Sequence, residues 1–137
     1  GDVAGGLDPG AELALGIEAP TSPRMDLAVI RLTNDGPART AFGVATSGTS
    51  VHRWGSAVEA RHHLIDPRTG APAATDVVQA TVIATSARLA EAFAKTAVIL
   101  GRGAAPRALR RPGVLGALLL TDDGRMLTLA GTERYLA

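Results

Sequence analysis

The 137-residue sequence has no cysteine, so no disulfide can staple it and no thiolate can hold a metal. That absence leaves the compartment undetermined. Aromatic residues make up only 3%, so any core must be aliphatic. No apolar run approaches the length of a membrane-spanning helix, and neither a signal peptide nor an initiating methionine opens the chain. Charge of one sign is missing as well. Fourteen Lys and Arg stand against thirteen Asp and Glu, interspersed, for a formal net charge of +1, which makes no electrostatic case for nucleic acid or an anionic membrane. What is plentiful is apolar material, at 46% of residues. That suffices for a substantial core and fits a single domain over residues 1–137.

Turn chemistry and periodicity divide the chain. Gly1 to Gly10, glycine-rich and broken by Pro9, reads as a loop. Leu13, Leu15 and Ile17 alternate with smaller or polar residues, which predicts a half-buried strand over Glu12 to Glu18. Ala19 to Arg24, with two prolines, reads as a connection. Asp26 to Thr33 is a second strand, antiparallel to the first, and Asn34-Asp35-Gly36-Pro37 is a turn. A third strand over Ala38 to Ala45 runs into Thr46-Ser47-Gly48, and Ser50 to Trp54 looks extended again, with Trp54 as a packing anchor and His52 on its face. Val77 to Thr85 is rich in β-branched residues and predicts a buried strand. Ser86 then suits the N-cap of a helix from Ala87 to about Leu100, packed through Leu89, Phe93, Ala97 and Leu100 and stopped by Gly101. Arg102, Arg107, Arg110 and Arg111 form a basic stretch in which Ala104 to Arg111 makes one or two helical turns. Val114 to Thr121 and Arg125 to Ala130 form a closing hairpin around Asp122-Asp123-Gly124, and Tyr135-Leu136-Ala137 reads as a chain end.

Most of the reactive chemistry falls in Arg61-His62-His63-Leu64-Ile65-Asp66-Pro67-Arg68-Thr69-Gly70. If Ala60 to Ile65 is extended, successive side chains point to opposite faces, so only one of His62 and His63 can face a given pocket. Pro67 and Gly70 then make a rigid polar turn. A neutral imidazole can accept a proton, and turn N–H groups can meet an anion. The same residues also suit an ordinary turn with His62 solvated and His63 a hydrogen-bonded core residue. Thr46, Ser47 and Gly48 would let a flat ring or a phosphate approach the backbone, or form a simple polar turn.

The order of these segments resembles the C-terminal half of the FAD:protein FMN transferase (ApbE) family. The sequences "GDV", "ALGIEAP", "GVATSG", "HHLIDPRTG" and "VVQATVIATSARLAEAFAKTAVILG" are similar, in order, to the family's "GGDV", "VGIxxP", "TSG", "HI(I/L)DPxTG" and strand–helix "AD" segments. This implies an α+β fold, a mostly antiparallel sheet with one main helix packed on it, of T-fold-like type. It also implies a chain whose N-terminal half is absent, leaving any export signal upstream of Gly1 and the localisation open. The implied activity moves FMN from FAD to a Thr or Ser hydroxyl of an acceptor flavoprotein and releases AMP. Alternatives are a degenerate FAD-binding module, an FAD pyrophosphatase giving FMN and AMP, and a structural domain without a ligand.

By the same resemblance His63 is the base or a flavin contact, and Asp66 orients the turn or the imidazole. Thr46, Ser47, Gly48, Thr69 and Gly70 border the flavin. Family members carry Asp where Glu91 stands and Thr or Ser where Lys95 stands, and both ligate magnesium. Glu91 is thus the implied metal ligand, yet an ammonium at position 95 removes a ligand and repels the ion, so the magnesium site is expected to be weakened or absent. Two readings of the swap stay open. Lys95 supplies fixed charge to the flavin pyrophosphate with Glu91 orienting it, or the two are a surface pair contributing under about 0.5 kcal/mol.

Overall fold

The computed structural model describes residues 1–50, 62–129 and 131–137 of the chain. Nine strands and a long helical segment form in the order β1 (Asp2–Leu7), β2 (Glu12–Ala19), β3 (Ser22–Thr33), β4 (Thr40–Gly48), β5 (Ile65–Asp66), β6 (Ala71–Pro72), β7 (Val77–Ala84), α1 (Ala87–Ala108), β8 (Val114–Thr121) and β9 (Met126–Leu129) among these residues, with a short 3₁₀ turn at Thr132–Tyr135. Strands β1, β4, β7, β8 and β9 make one sheet in that spatial order, every neighbouring pair antiparallel. The expected α+β architecture, one helix on a mostly antiparallel sheet, is what forms. Much of Ser50 to Trp54, including His52 and Trp54, and the start of Ala60 to Ile65 lie outside the described residues.

Alternation along the central strands gives the sheet two apolar faces. Ala80, Val82 and Ala84 of β7, with Ala117 and Leu119 of β8, pack against Ala90, Ala94, Ala97 and Val98 of α1. On the opposite face Phe42, Val44, Ile83 and Leu118 are covered by Ile17, Ile30 and Leu32 of the β2–β3 hairpin. A sheet buried on both sides explains why β7 and β8 read as nearly continuous apolar runs.

Several expectations need correction. Gly1 to Gly10 is no loop: residues 2–7 pair with β4 from Asp2↔Ala45 to Leu7↔Thr40. Glycine weakens intrinsic strand preference, but a partner strand can supply the pairing that sequence alone does not announce. The connection between β2 and β3 is only Pro20-Thr21, because β3 begins at Ser22. Arg24 absorbs the resulting irregularity at φ 86°, beside register shifts at Ile17, Glu18 and Ala19. Thr46-Ser47-Gly48 is the end of β4 rather than a turn. The buried stripe of α1 is centred on Ala90, Ala94, Ala97 and Val98, while Leu89, Phe93 and Leu100 are only partly buried. Alanines let the helix sit close to the sheet, and the larger residues fill its flanks.

Gly101 does interrupt the helix, at φ 74° and ψ 174°. There the Arg102 N–H donates to Asp76, just before β7, at 2.9 Å. By Gly113 the chain is back at the other end of β7, where its carbonyl accepts from the Thr85 N–H at 2.8 Å. The second helical piece is therefore a return leg. Ser86 caps the first piece by accepting from the Leu89 N–H at 3.3 Å, as its hydroxyl suggested.

Candidate functional site

The end of β4 is held from both sides. Thr46 pairs with Thr81 of β7, their hydroxyls 2.8 Å apart, and its N–H donates to the Gly1 carbonyl at 2.8 Å. Gly48 runs so close to β7 that a Cβ there would lie 2.9 Å from the Val78 carbonyl oxygen. Glycine at position 48 is therefore needed for packing against β7.

The histidine pair is sorted by one residue's anchoring. His62 is buried, 6% exposed. Its Nδ1 accepts from the Leu64 N–H at 3.3 Å, which leaves Nε2 to donate to the Ala73 carbonyl at 3.1 Å. The ring thereby ties together the two arms of the β5–β6 loop. With His62 turned inward, His63 is exposed and lines the cleft. The alternative reading as an ordinary turn, with His62 solvated and His63 in the core, is thereby excluded. The extended run is also shorter than Ala60 to Ile65, since among its described residues only Ile65 belongs to a strand.

Asp66 is buried, 6% exposed, and organises the turn. Its carboxylate accepts from the Arg68 backbone N–H at 2.9 Å and from the guanidinium at 3.0 and 2.8 Å. Those hydrogen bonds, more than simple charge attraction, hold its carboxyl below the usual range. The Asp66 carbonyl accepts from the N–H groups of Thr69 and Gly70, and the Thr69 hydroxyl accepts from the Ala71 N–H at 3.3 Å. Thr69 and Gly70 are exposed in this turn and are not among the residues lining the cleft.

The cleft itself, about 200 Å³, is lined by Thr46, Ser47, Gly48, His63, Glu91 and Lys95, with Gly1, Asp2 and Ala45 completing it. Four segments distant in sequence meet here. Asp2 was missed by sequence reasoning because its strand was not foreseen. The available signals were Val3 and Leu7 at even spacing and the "GDV" match. A second cleft of about 490 Å³ lies toward the β2–β3 hairpin and shares Gly1, Asp2, Thr46 and Gly48 with the first. Leu15 to Pro20 of the "ALGIEAP" segment line it.

On α1, the Lys95 Nζ donates to Glu91 Oε1 at 2.6 Å, and this hydrogen bond draws the Glu91 carboxyl below its ordinary value. Among the described residues no three His, Asp or Glu side chains converge to hold a metal ion. The implied magnesium does not fit this chain's donor set, because a divalent ion at Glu91 would have to displace or face an ammonium. The basic stretch is partly neutralised as well: Arg102 pairs with Asp76 at 2.9 Å and Asp123 at 3.2 Å. No helix among the described residues is long and apolar enough to cross a membrane.

Comparison with known proteins agrees with this fold. The FAD:protein FMN transferase of Escherichia coli K12 is 34% identical over 82 residues, a match covering 60% of this chain and 23% of that protein. Among solved structures, the ApbE protein of Thermotoga maritima superposes with a TM-score of 0.78 at 21% identity, over 95% of this chain and 41% of that one. The flavinyl transferase ApbE of Pseudomonas stutzeri gives 0.64 at 21% identity, over 90% and 36%. The chain thus spans well under half the length of these relatives. The ApbE family pattern matches residues 1–119, and the chain belongs to the ApbE family.

Proposed function

We propose that this chain forms part of an FAD:protein FMN transferase, which moves FMN from FAD to a Thr or Ser hydroxyl of an acceptor flavoprotein. The observation that carries this reading is the meeting of His63, the small-residue end of β4 and the Glu91–Lys95 pair in one cleft. In the proposed step the acceptor hydroxyl oxygen attacks the FMN-side phosphorus and a new phosphoester bond forms. The pyrophosphate P–O bond breaks, AMP leaves, and His63 takes the hydroxyl proton. Phosphoryl transfer depends mainly on positioning and charge neutralisation, which a histidine beside a fixed cation supplies. Asp66 acts through the turn that presents His63. Thr46, Ser47 and Gly48 border the flavin nucleotide, and Thr69 and Gly70 shape the approach to it. The acceptor and the rest of the family-length polypeptide are the partners this reading requires.

Incubating the full-length protein with FAD and a candidate acceptor should place covalent flavin fluorescence on the acceptor and release AMP. The His63→Ala variant should label about 10²–10⁴-fold more slowly while still binding FAD. Labelling at the parental rate by that variant would remove His63 from the chemistry. A second reading, an FAD-binding module without transfer, is favoured by the ammonium seated on Glu91. FAD binding with no AMP release would establish it, whereas AMP without labelled acceptor would indicate a pyrophosphatase.

A further inference from the structure

Lys95 is the only lysine in the chain; every other permanently basic side chain is arginine. It is also the only fixed cationic side chain among the described residues lining the cleft. The i,i+4 spacing on α1 brings its ammonium to 2.6 Å from Glu91, and the resulting hydrogen bond draws the Glu91 carboxyl below its ordinary value. An ammonium has three donors. Glu91 takes one, and the side chain is 45% exposed, so two donors remain for an anion entering the cleft. A compact charge on a flexible stem suits phosphate oxygens in a way that a planar guanidinium does not reproduce.

We propose that the Lys95 ammonium, clamped by Glu91, receives the pyrophosphate of FAD in this cleft, so that the dinucleotide binds without a divalent metal ion. The proposal rests on the flavin reading above. It assigns the neutralising charge to the chain itself, at the helix position where related proteins are expected to place a metal ligand. Glu91 is then a positioning residue, and its carboxylate is not available as a metal ligand.

The test is titration of the full-length protein with FAD, followed by flavin fluorescence, in EDTA and again in excess magnesium. The parent should bind equally in both. Lys95→Met should bind about tenfold or more weakly in either buffer, the loss of charge-assisted hydrogen bonds. Lys95→Thr should be weak in EDTA and recover with magnesium. An exposed i,i+4 pair contributes little to helix stability, so these variants keep the fold, which circular dichroism checks. As a second readout, bound FAD or inorganic pyrophosphate should protect Lys95 from amine acylation, followed on its peptide by mass spectrometry. A parent that binds FAD only with magnesium, a Lys95→Met variant that binds like the parent, or an unprotected Lys95 would each overturn the proposal while leaving flavin binding intact. A parent that binds no FAD in either buffer would end the flavin reading and this inference together.

Discussion

His63 reaches the cleft because His62 is committed elsewhere. Two hydrogen bonds, from the Leu64 N–H and to the Ala73 carbonyl, fix the inward ring, and its neighbour His63, in the bend before β5, is exposed. The turn that follows depends on Asp66. Its carboxyl is held below the ordinary 3.8 chiefly by hydrogen bonds from Arg68. A depressed carboxyl contributes its full stabilisation above the unfolded value and loses it as pH falls through the folded one. The turn should therefore hold down to pH 3.8 and weaken only below it. Asp66→Asn has no such proton to take up, so its stability to urea should fall less steeply with acid over that range. Equal slopes for variant and parent would show that Asp66 does not couple the turn to pH.

Elements pack here according to how small their facing residues are. Gly43 of β4 lies under the start of α1, where a Cβ would be 2.3 Å from the Ala87 nitrogen and the Ser86 carbonyl carbon. Backbone cannot move aside as a flexible side chain can. Gly43→Ala should cost about 1–3 kcal/mol by overpacking, measured as a lower urea midpoint. Gly103, in the return leg of the helix, has nothing within 4 Å of its Cβ position. Gly103→Ala should be neutral or stabilising by up to about 1 kcal/mol. If both variants behave alike, close helix–sheet approach is not what Gly43 provides. The same closeness explains why the helix's buried centre falls on alanines. Periodicity identified the packed side to within one position, and the residue sizes needed to choose between neighbours belong to the sheet below.

Across the whole molecule, the C-terminal segment ties the two layers together. Ala137 donates its N–H to the Val29 carbonyl at 3.0 Å, and Leu136 bridges to Ile30, so the segment after β9 reaches the β2–β3 hairpin. Its anchor is Thr132, fully buried. The Thr132 hydroxyl accepts from the Ala117 N–H of β8 at 2.8 Å and donates toward the Leu129 carbonyl. Thr132→Val keeps the shape but strands that N–H, at a cost of about 1–3 kcal/mol. The loss should appear as a lower unfolding midpoint with faster hydrogen exchange at Ala117. Unchanged exchange there would mean that Thr132 does not secure β8.

The amino-acid sequence by itself determined what depends on neighbours in the chain. The alternation of Leu13, Leu15 and Ile17, the Asp122–Gly124 turn, the Ser86 cap, the Gly101 stop and the stiff bend at Pro67 all follow from dihedral preference and local hydrogen bonding. Tertiary structure decided what depends on partners distant in sequence. Residues 2–7 became a strand only because β4 offered its edge, and which imidazole faces outward was set by carbonyl and amide groups waiting on the inner side. The cleft brings position 2, positions 46–48, His63 and the Glu91–Lys95 pair together because antiparallel pairing and helix packing fold those segments onto one end of the sheet. No local preference encodes that proximity.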